Sequence, residues 1–307
     1  MSCNCSANEP LLQTSLPLPS FIKGKVRDTY DLGEYLLIVV TDRISAFDVV
    51  LPCGIEGKGE VLNRISAFWF NKTKDIVQNH VVELLEKSED LDKYLPNDKK
   101  LEEYPCWLAG RSMIVKKVER ITVECIARGY ISGSAWKEYK KEGTACGIKL
   151  PSNLSESQKL PEVLFTPTTK GDNGEHDLNM SYQDVVAAVG QKRAQELRGT
   201  TIELYKTAAD YALTKDFIIA DTKFEFGVDN NGRLMLIDEA LTPDSSRFWD
   251  KNTYQEGRAQ DSYDKQPIRD YLETLNWNKC YPGPCLPKEV QQKASQRYRV
   301  AYERLVK

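Results

Sequence analysis

The chain has little histidine, little methionine and no long apolar run. Only two of its 307 residues are His, His80 and His176, and four are Met. There is no G-x-S-x-G elbow, and neither histidine sits in a setting that suggests a Ser/His/Asp triad. His80 reads as a packing or surface residue. His176, within "GDNGEHD", is the one to watch. No stretch approaches the ~18 apolar residues that a membrane-spanning helix needs. The most apolar run, "YLLIVV" at 35–40, has the length of a buried strand. Residues 1–20 lack the basic start and continuous apolar core of a secretory signal and read as a flexible lead-in.

No charge of one sign dominates either. Forty-two basic against 45 acidic side chains leave a net charge of −3. That argues against a nucleic-acid scaffold, which carries a basic excess, though not against a local basic pocket for a phosphorylated small molecule. None of the eight cysteines lies in a C-x-x-C, so free thiols in a reducing cytosol are expected. A bridge across "YPGP", between Cys280 and Cys285, is the alternative. Neither G-x-x-x-x-G-K-[ST] nor G-x-G-x-x-G occurs, so any phosphate must be held by other means.

What the chain does contain is a β-rich first third and an α+β remainder. "GKVRDTY" and "EYLLIVV" are strand-like and joined by the turn signal "DLGE". Helical spacing follows over 62–77. The charged stretch 86–105, broken by Pro96, reads as an exposed insertion. Strands are expected at 111–118 and 121–128, with the junction between an N-terminal lobe (21–118) and a larger domain (119–307) near Val118–Arg120. A short helix from Ala135, a long helix around 191–214 and a C-terminal helix from about Lys288 complete the outline.

One strand is unusual. In "IADTKFEFG" (219–227), period-two alternation puts Asp221, Lys223 and Glu225 on one face, while Ala220, Thr222, Phe224 and Phe226 form an apolar back. "DNNG" then leads into a partner strand, "RLMLIDE". A two-residue turn at Asn231-Gly232 sets Glu225 opposite Asp238. A four-residue loop, 229–232, sets Asp238 opposite Lys223. Both registers put Glu225 and Asp238 on one face. Opposed carboxylates repel, and a divalent cation would offset that; a solvated face whose charges balance themselves is the alternative. The following segment, "LTPDSSRFWD", reads as a loop and brings Arg247, a fork suited to phosphate or carboxylate.

Two further segments suit phosphate. "KGKVRD" (23–28) supplies Gly24, Lys25 and Arg27. "ARGYISGSAWKEYKKEG" (127–143) supplies Arg128 and a helix start, with Ser134 at the N-cap position and Gly143 as the stop. Two polyanion sites and one divalent cation suit an ATP-dependent enzyme acting on a second phosphorylated substrate.

Together "KGKVRD", "TDRISAFD", "ARGYISGSAWKEY", "FTPTTK", "GEHD", "IADTKFEFG" and "DEALTPDSSRFW" resemble the SAICAR synthetase family in its monofunctional, fungal-like form, in order from about residue 21 to 270. The resemblance implies a two-lobed α+β fold. An N-terminal antiparallel β lobe like the small lobe of protein kinases would cover ATP, and an ATP-grasp-like domain would hold substrate and metal. It implies a ligase of purine biosynthesis that joins carboxyaminoimidazole ribonucleotide (CAIR) to L-aspartate in the cytoplasm, with ATP as co-substrate and Mg2+ as cofactor. By the family pattern Gly24, Lys25, Val26 and Arg27 line the triphosphate, and Glu225 and Asp238 hold the metal. Arg128, Ser134 and Arg247 grip the ribonucleotide 5′-phosphate, with Asp221 and Lys223 beside the imidazole carboxylate. Lys223, Glu225 and Asp238 are the catalytic candidates. Asp42, Arg43, Ser45, Asp48, Asp264 and Lys265 look substrate-facing without an assigned role.

Overall fold

A computed structural model describes residues 9–96, 100–170, 177–263 and 265–307. Two compact units emerge from the contacts within the chain. The first holds the residues up to Phe70, His80–Val118 and Lys265–Lys307. The second holds Asn71–Asn79 and the described residues from Glu119 to Tyr263.

The first unit is built on β1 (Ser20–Lys23), β2 (Arg27–Asp31), β3 (Tyr35–Val40), β4 (Arg43–Ala46) and β5 (Val49–Gly54), followed by α1 (Lys58–Lys72), whose last two residues fall in the second unit. After β6 (Gln78–Asn79), which belongs to the second unit, come β7 (Val81–Leu84) and β8 (Ser112–Lys116). Five of these strands form an antiparallel sheet in the order β1-β2-β3-β8-β7, and β4 and β5 make a separate hairpin. The "DLGE" turn is tight because Asp31 Oδ1 accepts from Gly33 N–H at 2.7 Å and Gly33 takes φ +88.

Two expectations change here. Residues 9–19 are no loose lead-in: Thr14 Oγ1 donates to Asp28 at 2.7 Å, and Leu16 and Leu18 are buried beside Tyr30 and Leu37. Within the supposed insertion, Leu91, Leu95 and Leu101 join the same apolar cluster. Its charges are real, but a leucine every few residues turns one side inward.

The C-terminal helices α5 (Gln266–Glu273) and α6 (Lys288–Val306) also fall in the first unit, not in the larger domain expected to run to 307. Their apolar faces explain it. Ile268 and Leu272 from α5, with Ala294 and Tyr298 from α6, pack in one cluster with Val40, Ile44 and Leu62. Cys53, Cys125, Cys146, Cys280 and Cys285 are free thiols, as expected, whereas Cys106 is disulfide-bonded.

The second unit begins with β9 (Glu119–Tyr130), α2 (Gly133–Glu142) and a small hairpin of β10 (Thr144–Ala145) and β11 (Ile148–Lys149). Then come β12 (Lys159–Phe165), β13 (Thr168–Thr169), α3 (Tyr182–Val189) and α4 (Gln191–Leu213). The long strand β14 (Phe217–Val228), β15 (Leu234–Ile237) and β16 (Ser246–Asp250) finish it. The main sheet runs β12-β9-β14-β15-β6, with β13 on β9 and β16 on β14. Ala194, Leu197, Leu204, Ala208 and Ala212 recur along one side of α4 and pack it onto this sheet. The strand at the centre of the chemistry therefore has neighbours on both edges and a helix on its back.

Candidate active site

Three elements of the second unit converge on the charged face of β14. Its apolar back is as expected: Ala220, Thr222, Phe224 and Phe226 are buried. The charged front is buried too, with Asp221 4% and Glu225 5% exposed. A buried charge costs several kcal/mol unless it is paired, so its partners matter.

At one end of the face, Asp221 lies opposite Arg128 of β9. Arg128 Nη1 donates to Asp221 Oδ2 at 2.6 Å, and Arg247 Nη1 donates to the same oxygen. Arg247 comes from β16, a strand where the sequence suggested a loop. The β14–β16 ladder slips by one residue between Ile219 and Thr222, across the stretch that contains Asp221. Arg128 also donates through Nε to Thr166 Oγ1 (2.9 Å) and through Nη2 to Ser134 Oγ (3.4 Å). Its guanidinium is pulled below the ordinary value by burial and by Arg247, while Asp221 pulls the other way.

The start of α2 closes this end. The N-cap is Ser132, two residues before the expected Ser134, while Gly143 stops the helix at φ +71 as expected. Gly133, with φ +57, has no room for a side chain: a Cβ would lie 2.4 Å from Arg247 Nη2. A cleft of about 600 Å³ opens beside Ser134, lined by Lys137, Glu138, Cys146 and Asn179 among others. Two guanidiniums share one carboxylate next to a helix N-terminus. The surplus is positive, which suits an anion.

The other end has the opposite sign. Glu225 faces Glu124 across the β9–β14 ladder, and both are buried. Lys223 Nζ donates to Glu124 at 2.6 Å and lies 3.9 Å from Glu225, while Lys170 pairs with Glu225. Burial pushes the Glu124 carboxyl up, against the downward pull of Lys223. Burial disfavours the Lys223 ammonium, but Glu124, Glu225 and Asp238 outweigh it and hold its pKa above the ordinary value.

Asp238 reaches this cluster by an unforeseen route. The hairpin closes through a three-residue loop, Asn230–Gly232, with Asp229 N–H donating to the Arg233 carbonyl at 3.1 Å and Gly232 at φ +73. Asp229 accepts from the Asn231 and Arg233 amides and thereby sets the loop length. Neither expected register forms. Glu225 is opposite Ile237, and strict alternation would send Asp238 to the other face. Asp238 lies just past β15 at φ +67, so it leaves the alternation and its charge bears on Lys223. The repelling partner across the ladder is Glu124, which sequence reasoning missed. "ITVECIAR" carried the signal: Glu124 and Arg128 share a face, since they lie four residues apart on one strand.

Among the described residues no group of three or more His, Cys, Asp or Glu side chains forms a metal cage. Magnesium needs less, one or two carboxylates completed by substrate phosphates, and the Glu225 end offers carboxylates already balanced by lysines. The donor set fits.

In the first unit, "KGKVRD" forms a stapled turn. Gly24 N–H donates to the Arg27 carbonyl (2.7 Å), the Val26 carbonyl accepts from the Thr41 amide (3.0 Å), and Lys25 pairs with Asp48 (2.6 Å). Arg43, expected to face substrate, instead donates to the Gly24 and Lys25 carbonyls and pairs with buried Asp28 at 2.7 Å. Asp42 is also structural: it accepts from Leu11 and Gly59 amides and pairs with Arg111. Ser45 lies on β4, and Lys265 precedes α5. Asp264 and His176 lie outside the described residues.

The second unit thus presents a sheet whose central strand carries a positively biased cluster at Asp221 and a negatively biased one at Glu225, about 13 Å apart, four residues at strand rise. That is the outline of a phosphate-handling enzyme. The SAICAR synthetase family model matches residues 20–284. The chain is 52% identical to phosphoribosylaminoimidazole-succinocarboxamide synthase of Geobacter sulfurreducens over 298 residues, covering 97% of this chain and 98% of that one. It is 51% identical to the synthase of Thermodesulfovibrio yellowstonii, covering 94% and 96%. Its structure is similar to a SAICAR synthase from Saccharomyces cerevisiae complexed with SAICAR: TM-score 0.86, 43% identity, covering 96% of this chain and 97% of that one. The chain belongs to the SAICAR synthetase family, ligases of purine biosynthesis.

Proposed function

We propose that the protein joins the carboxylate of CAIR to the amine of L-aspartate, with ATP converted to ADP and phosphate. The observation that carries this reading is the division of one strand face into a positive end at Asp221 and a negative end at Glu225, with Lys223 between them. A carboxylate resists attack by an amine, so it must first be activated. Its oxygen attacks the γ-phosphorus and ADP leaves; the aspartate amine then attacks the acyl carbon, phosphate leaves, and the amine gives up a proton. Such transfers are accelerated by positioning and by neutralising charge.

Each residue has a part. Arg128, Ser134 and Arg247 grip the 5′-phosphate of the ribonucleotide. Asp221 holds the two arginines side by side and stands with Lys223 beside the imidazole carboxylate. Lys223, kept charged by its carboxylate neighbours, steadies the charge that develops on the transferring group. Glu225 and Asp238 would hold Mg2+, which neutralises ATP phosphate charge when bound. Glu124 holds Lys223 in place. Gly24, Lys25, Val26 and Arg27 line the triphosphate through a turn whose shape Arg43 maintains. The substrates are small molecules, and we place the enzyme in the cytoplasm without nucleic acid or membrane as a partner; among the described residues no helix is long and apolar enough to span a membrane.

ADP release from the purified protein with MgATP and CAIR, with and without L-aspartate, tests the reading. ADP and the succinocarboxamide product should appear together, and only with aspartate. ADP formed regardless of aspartate, with no amide product, would point to a small-molecule kinase on this fold.

A further inference from the structure

The phosphate-binding end has an unusual back. The regular β9–β14 ladder stops at the pair Arg128–Asp221. On the other side of β9, the pairing with β12 jumps between Lys159–Tyr130 and Leu164–Arg128, so Leu160–Val163 bulge away opposite Gly129. Gly129 is thus left without regular ladder partners on either side, directly after the arginine that matters most.

A side chain from α4 fills the gap. Tyr205 is 3% exposed, and its hydroxyl donates to the Ile219 carbonyl at 2.6 Å. The Gly129 backbone lies against the same oxygen; a Cβ built on Gly129 would sit 2.0 Å from it. Gly129 has no side chain because the phenol takes that space. Burial pushes the Tyr205 pKa up, so the hydroxyl stays protonated and remains a donor. Ile219 lies two residues before Asp221, and Gly129 follows Arg128. One hydroxyl therefore contacts the backbone of both strands, within two residues of Arg128 on one and of Asp221 on the other.

We propose that Tyr205 is a positioning residue for the ribonucleotide phosphate. It holds β9 and β14 at the spacing that lets Arg128 and Arg247 share the Asp221 carboxylate while facing the ligand. The inference rests on the assignment of Arg128, Ser134 and Arg247 to that phosphate. It predicts a defect confined to the phosphate-bearing substrate, although Tyr205 touches no substrate.

Steady-state kinetics of Tyr205→Phe in the full chain, beside Arg247→Ala, provide the test. Phenylalanine keeps the ring and removes only the hydroxyl. The KM for CAIR should rise about tenfold, the cost of roughly one hydrogen bond, while kcat and the KM for ATP stay within about twofold. Inhibition by the product ribonucleotide should weaken by the same factor, and inhibition by its dephosphorylated nucleoside should not change. Gly129→Ala, which must push the phenol aside, should show the same confined pattern. A loss shared equally by nucleotide and nucleoside would overturn the proposal and leave Tyr205 as packing alone. An unchanged KM for CAIR in Tyr205→Phe would also overturn it. If Arg247→Ala still weakens nucleotide binding, only the positioning role of Tyr205 falls. If neither variant affects nucleotide inhibition, the phosphate assignment falls as well.

Discussion

The two ends of the charged face of β14 use the same materials in opposite proportions. At Asp221 two guanidiniums meet one carboxylate; at Glu225 the carboxylates of Glu124, Glu225 and Asp238 meet the ammoniums of Lys170 and Lys223. Each end is neutral enough to be buried, yet each keeps a surplus of one sign. The sign of that surplus sets which charge each end can attract. Arginine suits the first end because its planar fork can hold Asp221 and still offer N–H groups elsewhere. Lysine suits the second because a compact ammonium can sit among several oxygens and yield to a stronger cation.

This contrast is sharpest for Glu225→Gln, which cancels the negative surplus without altering shape. We expect kcat to fall by about three orders of magnitude, in line with loss of electrostatic stabilisation at a phosphoryl-transfer centre, while CAIR binding measured by calorimetry is largely retained. Normal turnover would overturn the proposed role of Glu225 in holding Mg2+. Arg247→Ala tests the other end and should do the reverse: an increase of about 10- to 100-fold in the KM for CAIR, as expected on losing a charge-assisted contact, with a smaller effect on kcat. Should Arg247→Ala reduce kcat alone, the two ends would not divide binding from chemistry.

A smaller effect concerns stability. Burial raises the folded-state pKa of Glu124 above its ordinary 4.5. A raised carboxyl contributes stability that is fully present below about 4.5 and is lost as pH rises through the folded value. Glu124→Gln has no such proton to lose. Thermal melts from pH 4.5 to 7 should therefore show wild type losing ground relative to the variant as pH rises. A constant difference across that range would place Glu124 in a less buried setting than its 3% exposure indicates.

Much of this was legible in the sequence. The alternation in 219–227 correctly separated an apolar back from a charged front, because strand geometry makes every second residue a neighbour. The long helix was expected at 191–214 and lies at Gln191–Leu213, since its apolar spacing is regular and Gly190 punctuates its start. Where the pattern misled, a local detail overrode it. The hairpin register depended on Asp229 capturing two amides, which selects a three-residue loop that neither expectation allowed. Arg43 looked free to meet a substrate, yet Gly24, Lys25 and Asp28 claim it, and nothing in "TDRISAFD" announces partners 15 to 19 residues upstream.

By itself the sequence determined that Asp221, Lys223 and Glu225 share one strand face, since residue types and strand period are properties of the chain alone. It also determined the family, through long ordered motifs. Only the tertiary structure decided which charges neutralise which. Glu124, Lys170 and Arg247 come from separate segments, and only the registers of β9 and β16 against β14, with the ion pair from Lys170, bring them to one face. The same holds for Tyr205: a tyrosine on a helix is unremarkable until folding sets its hydroxyl between Gly129 and Ile219. Pairing energies fall off within a few ångströms, so sequence can name the groups while only packing can choose their partners.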